Sequence, residues 1–313
     1  MIKTRMLGTS PSMTWKAGTV VRGCRPGNEK KDTAPMELLS SSKAFGGSQR
    51  VYRHDSVSCA CPMTFAIFLP QQSEERPVPL LWYLSGLTCT HQNVMDKGEY
   101  RAAAAANGIA IICPDTSPRG EGVPDEPDNW QFGSGAGFYL DATQEPYAKN
   151  YRMESYIRDE LPDLIAHHFP VDMGRQGIFG HSMGGHGAIT LALKNPKRYA
   201  SVSAFAPIAQ PSTAGWSKPA FERYLGTDEA NWRAYDATSL IADGHRVKDL
   251  LVDQGTADGF LEEGLRPALL ELACLQAGIP LELNMREGYD HSYNFISTFM
   301  AQHIAWHAQR LVD

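Results

Sequence analysis

Nowhere among its 313 residues does this chain carry an apolar run near the ~18 residues that a membrane-spanning helix requires, so no membrane partner is expected. Cysteine is sparse. Its six cysteines, Cys24, Cys59, Cys61, Cys89, Cys113 and Cys274, lack the density of a disulfide scaffold. Cys59-Ala60-Cys61 has no second Cys/His pair at zinc spacing, which leaves strand packing as its expected role and no metal site. Positive charge is in deficit: 29 Lys and Arg against 35 Asp and Glu give a net −6, and no basic stripe interleaved with aromatics offsets it. Nucleic acid is therefore a poor partner. No Asn-x-Ser/Thr acceptor occurs, in keeping with an intracellular protein, and no repeat interrupts the chain apart from five alanines at 102–106.

What is present suits a single α/β domain with a substantial core, since 42% of the residues are hydrophobic. Residues 1–35 stand apart: seven Lys/Arg against Glu29 and Asp32 make a basic arm of +5 on a body of −11. Pro11, Pro26 and Gly27 spoil the helical face of a transit peptide, and Met36 opens a start of its own. Residues 1–35 are expected to be a disordered extension or to precede the true start, and 36–313 to form the catalytic domain.

From Met36 two strands are expected, around 49–58 and 63–69, as an antiparallel lead-in. Pro79 to Leu84 and Gly108 to Asp115 are continuous apolar runs, as expected of strands covered on both faces. A helix is expected over 100–107, another over 151–168 with a kink at Pro162, then strands at 199–207 and 248–255. A helix at 262–277, a strand at 280–286 and a helix at 292–311 complete the alternation. Strands alternating with helices imply right-handed crossovers and a mostly parallel sheet with helices on both faces. Residues 116–148, rich in Gly, Pro and aromatics, are too long for an ordinary connection and are expected to be a functional loop. The polar excursion at 208–246, with Trp216, Tyr224, Trp232 and Tyr235, is expected to form a small cap or an oligomer face.

The chemistry centres on Gly180-His181-Ser182-Met183-Gly184, which follows a short apolar strand and opens a helix stopped by Asn195-Pro196. This is the spacing of a nucleophile elbow, where glycines allow a strained turn that exposes the serine hydroxyl. The helix N-terminus points its free amides at the same place, and that of Met183 is the natural oxyanion donor. His181 and His186 lie too near along the chain to act as base and are expected to pack or shape the elbow.

Partners for Ser182 should come from loops after strand ends. Gly255-Thr256-Ala257-Asp258-Gly259 and Gly288-Tyr289-Asp290-His291-Ser292 qualify, giving the order serine, acid, histidine of the α/β-hydrolases. A serine hydroxyl needs an imidazole to take its proton, and the imidazole needs a carboxylate to hold its tautomer. His291 is the expected base and Asp258 its partner. Asp253 lies inside the preceding strand, and Asp290 is too close to His291 for good pairing geometry. The second oxyanion amide is expected at Leu87, in the loop after 80–84 where Gly86 allows close approach. Cys89, two residues further, should stand beside the acyl pocket.

Together Leu84-Ser85-Gly86-Leu87-Thr88-Cys89-Thr90, Asp128-Asn129-Trp130-Gln131-Phe132-Gly133 with Gly135-Ala136-Gly137-Phe138-Tyr139, Gly180-His181-Ser182-Met183-Gly184-Gly185-His186-Gly187 and Tyr289-Asp290-His291-Ser292-Tyr293 resemble the S-formylglutathione hydrolases, the esterase D family. The resemblance spans about residues 36–313. It implies an α/β-hydrolase fold and cleavage of the S-formylglutathione thioester to formate and glutathione, with activity on small esters. It also implies a cytosolic, often dimeric enzyme without cofactor, and its triad falls by position on Ser182, Asp258 and His291. The family's loop cysteine confers sensitivity to thiol reagents, which places Cys89 with Trp130 as pocket candidates. The chain departs from the family pattern at Gln131, where an acid is common, and in having residues 1–35. A general carboxylesterase or acyltransferase of the same fold is the alternative. No basic patch offers itself for the carboxylates of glutathione; Arg119 and Lys149 are the candidates in the long loop.

Overall fold

The computed structural model describes residues 35–311, so the basic extension expected over 1–35 lies outside the described residues except for Pro35. In chain order the elements are strands β1 (Met36–Ala44), β2 (Gly47–Ser56), β3 (Cys61–Leu69) and β4 (Val78–Leu84), helices α1 (His91–Lys97) and α2 (Tyr100–Asn107), and β5 (Ala110–Pro114). Helices α3 (Met153–Ser155) and α4 (Leu161–His168), β6 (Val171–His181), α5 (Met183–Lys194) and β7 (Tyr199–Phe205) follow. The chain continues through α6 (Lys218–Leu225), α7 (Ala237–Ala242), β8 (Leu250–Gly255), α8 (Pro267–Ala277), β9 (Leu281–Arg286) and α9 (Tyr293–Leu311).

The nine strands of the described residues join one sheet in the order β1-β2-β3-β5-β4-β6-β7-β8-β9. The lead-in is antiparallel through the β3–β5 pair, and every pair from β5 to β9 is parallel. β4 and β5 are buried along their whole length, as their unbroken apolar runs demand, whereas no residue of β9, at the edge, is fully buried. This is the mixed sheet with helices expected from the sequence, an α/β-hydrolase fold. Strand alternation assigns the two faces. Ser201 and Ser203 of β7 bond to histidines of α9, whereas a Cβ on Gly185 of α5 would touch Ala204, one residue out of step. Hence α9, with α1 and α2 against it, covers one face; α5, with α7 and then α8, covers the other.

Three local expectations change. β1, unread in the sequence, is a Ser-rich edge strand with mostly exposed side chains, so it carries no apolar alternation; its pairing with β2 makes it a strand. The chain around Pro162 makes one wide π-type turn at Tyr156–Glu160 in place of a simple kink. The Arg158 carbonyl, which Pro162 cannot bond, accepts from Arg198 Nη1 instead. The helix expected over 262–277 divides: Arg266 takes a left-handed φ of 46°, and Pro267 then starts α8, where its missing N–H costs nothing. Cys59-Ala60-Cys61 closes the β2–β3 turn, with Glu160 accepting from Ser56 Oγ and from the amides of Val57 and Ser58. Among the described residues no three His, Cys, Asp or Glu side chains group as a metal site.

Candidate active site

The parallel strands deliver Ser182, Asp258 and His291 to the same edge of the sheet, just beyond the carboxyl ends of β6, β8 and β9. Ser182 occupies φ 57°, ψ −119°, a conformation that a side-chain-bearing residue adopts only under constraint. Its amide donates to Phe205 O (2.9 Å) and its carbonyl accepts from His186 N (3.0 Å). Gly184 is needed here, because a Cβ would collide with the carbonyl oxygens of Leu84 and Ser85. The turn is thus clamped between β4 and β7 while α5 starts at Met183.

Gly86 supplies the second close approach: a Cβ there would lie 3.1 Å from His181 Nδ1 and 3.2 Å from Ser182 Cβ. The long loop at 116–148 holds this segment down. Tyr139 Oη donates to Ser85 O (2.8 Å), Thr88 N donates to Gly135 O (2.9 Å), and Phe138 N reaches Met183 Sδ (3.3 Å). Leu87 and Met183 therefore belong to two segments braced by one loop, with Met183 at the first position of α5, where its N–H has no intrahelical partner.

His291 Nδ1 lies 2.6 Å from Asp258 Oδ2. A carboxylate can only accept, so Nδ1 carries the proton and Nε2 is left as the basic nitrogen. The Asp258 side chain is completely buried and also accepts from Phe260 N (2.8 Å) and Gln254 Nε2 (3.2 Å). The competing acids are occupied elsewhere. Asp253 accepts from Arg286 Nε (2.7 Å) and Asn284 Nδ2 (3.0 Å); burial works against its charge, but these bonds with His303 hold its carboxyl below the usual range. Asp290 caps the following turn, accepting from Ser292 N and Oγ.

Ser182 and His291 face a cavity of about 290 Å³, lined also by Leu87, Thr88, His181 and the aromatic side chains of Trp130, Trp216 and Phe260. Trp130 therefore lines the same cavity as Ser182 and His291. Cys89 does not line this cavity: its thiol sits beside the Tyr293 hydroxyl, and burial pushes its pKa up. Arg119 is no wall residue either, since it donates to Asp115 and to Cys89 O (2.9 Å), and Lys149 is exposed away from the lining. Trp216 and Phe260 were not expected. The tryptophan sits in the 208–246 excursion, which acts as the cap half of the expectation for that segment, and Phe260 follows directly on the Asp258 loop. Trp216 packs on Trp130 at 5.7 Å and on Phe260 at 6.1 Å between ring centroids.

Fold and site together define a serine hydrolase of the α/β class. A family model described as "Putative esterase" matches residues 56–308. An S-formylglutathione hydrolase of Mus musculus is 52% identical over 279 residues, covering 88% of this chain and 99% of that protein. One of Paracoccus denitrificans is 51% identical, covering 89% and 99%. The solved structure of an S-formylglutathione hydrolase from Agrobacterium tumefaciens superposes with a TM-score of 0.87 at 59% identity, covering 88% of this chain and 99% of that one. The chain belongs to the S-formylglutathione hydrolase family of esterases.

Proposed function

We propose that Ser182, His291 and Asp258 form the catalytic triad by which this enzyme hydrolyses S-formylglutathione to formate and glutathione. His291 Nε2 takes the Ser182 proton as Oγ attacks the formyl carbon, and the oxyanion collects on the amides of Leu87 and Met183. The tetrahedral species collapses to a formyl ester on Ser182, and the glutathione sulfur leaves with the proton from His291. Water, activated by the same nitrogen, then releases formate and restores the serine. Asp258 holds the tautomer and stabilises the imidazolium throughout.

The observation that carries this reading is the 2.6 Å His291–Asp258 contact at the mouth of a cavity shared with a strained serine. That the relatives are S-formylglutathione hydrolases supports the substrate. A small-molecule substrate, a cytosolic location, homodimeric assembly and no nucleic-acid partner belong to the same proposal; no helix of the described residues is long and apolar enough to cross a membrane. Comparison of kcat/KM for S-formylglutathione, S-acetylglutathione and an aryl acetate tests it. The formyl thioester should lead by at least about tenfold, since a carbonyl bearing only hydrogen needs no acyl room; an aryl acetate turned over as well would favour the general esterase.

A further inference from the structure

His181 ends β6 immediately before the nucleophile, and it is the one histidine besides His291 that lines the cavity. Its ring is buried, yet neither Nδ1 nor Nε2 has a hydrogen-bond partner. Buried polar atoms are nearly always paired, so a ring kept here without partners answers some demand other than folding. Its neighbours show what that demand is. The His181 ring lies 4.4 Å from that of His291 between centroids, tilted by 45°, and Phe260 meets the other ring from its own direction at 5.0 Å and 69°. Gly86, which precedes the Leu87 amide, packs so closely that a Cβ there would press on His181 Nδ1 at 3.1 Å. The ring of Tyr293 closes a further side at 6.2 Å.

We infer that His181 is a positioning residue, an aromatic wedge that sets both the ring plane of His291 and the height of the Gly86–Leu87 loop over Ser182. This rests on the triad assignment above. The wedge works through shape: each of its nitrogens is unpaired, and what touches His291 is the ring. Burial, and secondarily the proximity of His291, holds the pKa of His181 well below that of an ordinary histidine, so it stays neutral beside an imidazole that must accept a proton. Phe260 and His181 together leave the His291 ring little freedom to rotate about its bond to Asp258. Preorganisation of this kind lowers the barrier without touching the substrate.

Three variants test it, His181→Phe, His181→Leu and His181→Ala, each assayed by circular dichroism, by steady-state kinetics and by the rate at which a small fluorophosphonate labels Ser182. His181→Phe keeps the wedge and should keep kcat and labelling within about threefold of the parent, with a Tm no lower. His181→Leu and His181→Ala should lower kcat and labelling in parallel by on the order of 10²-fold, with KM changed by less than about threefold, the cost of a misplaced group. Should alanine unfold the chain, the leucine variant, which fills most of the same volume, gives the same reading. Loss of Tm with unchanged labelling in Leu or Ala would reduce His181 to a core residue. A His181→Phe protein as slow as His181→Ala would assign the role to the nitrogens, against the wedge. Labelling reports nucleophile activation whatever the natural substrate, so a parent labelled at Ser182 but inactive on S-formylglutathione would fault the substrate alone.

Discussion

Two serine–histidine–aspartate assemblies occur among the described residues, and their contrast bears on why the triad is proposed at one of them. At the carboxyl edge of the sheet, His291 turns Nδ1 to Asp258 at 2.6 Å and shares a cavity with Ser182. Behind the sheet, His303 of α9 turns Nδ1 to Ser203 at 2.8 Å and Nε2 towards Asp253 at 3.8 Å, with His307 bonded to Ser201 and Ser203 alongside. The second set is wholly buried. Its carboxylate is already paired with Arg286, and its serine lies on an ordinary strand of extended backbone rather than on a strained turn. The residue types are the same. Access, backbone strain and an acid ion-paired to the histidine rather than to an arginine distinguish the first set; the second ties α9 to β7 and β8.

The largest effect expected of breaking this contrast is on turnover. Ser182→Ala should abolish it, and Asp258→Asn should lower kcat by about 10⁴-fold, the magnitude seen when such an acid is replaced, with circular dichroism and Tm nearly unchanged. Asp253→Asn should do the reverse. It leaves Arg286 and the buried side of α9 short of a charge partner, which costs on the order of 3 kcal/mol in urea unfolding, while kcat stays within about threefold. If Asp253→Asn were the inactive variant and Asp258→Asn the silent one, the acid assignment would be exchanged.

The two assemblies were not equally legible. Each member of the first follows a strand end, and the glycines that let the chain turn there are visible in Gly180-His181-Ser182-Met183-Gly184 and Gly255-Thr256-Ala257-Asp258-Gly259; local punctuation carried the information. The parallel sheet was readable for a similar reason, since strands such as Leu80 to Leu84 need a continuous apolar run to be covered on both faces. The second assembly depends on the register of α9 against β7, a contact across about a hundred residues that leaves no periodic mark. Trp216 and Phe260 escaped for the same reason: their neighbourhood with Trp130 exists only once the excursion folds over the site. β1 had no apolar pattern to find, and the π turn before Pro162 depends on Arg198, forty residues away, answering a freed carbonyl.

A smaller effect separates the two sets by pH. Burial holds the pKa of His303 below that of an ordinary histidine and that of His307 and His181 well below it; it takes His186 down to about 4. Because the folded values are depressed, these groups cost nothing at neutral pH. Below the ordinary value of ~6.5 the unfolded chain binds protons that the native state refuses, so stability falls as pH falls. His186 contributes to this decline in the same direction. Urea unfolding at pH 7, 6 and 5 should show this decline, and His307→Gln should flatten it by up to ~1.4 kcal/mol per pH unit while kcat at pH 7 is kept. Parallel stability curves for parent and variant would mean that His307 titrates alike folded and unfolded.

The smallest effect concerns Cys89, which belongs to neither assembly yet adjoins the first. Its thiol is outside the cavity lining, and burial raises its pKa despite the Tyr293 hydroxyl and the more distant Lys97 and Arg119. Cys89→Ser should therefore keep kcat/KM within about twofold, because a hydroxyl replaces the thiol without touching Ser182 or His291. The backbone of Cys89 is another matter: its amide donates to Gly86 O (3.3 Å) and its carbonyl accepts from Arg119 and Thr116, so it anchors the loop that carries Leu87. An adduct on sulfur has to displace that loop. Alkylation requires the thiolate, so inactivation of the parent by iodoacetamide should be slow at pH 7 and accelerate towards pH 9, while Cys89→Ser resists at both. Rapid inactivation at pH 7 would show a thiolate that burial does not suppress, and equal loss in Cys89→Ser would move the sensitive thiol to another cysteine.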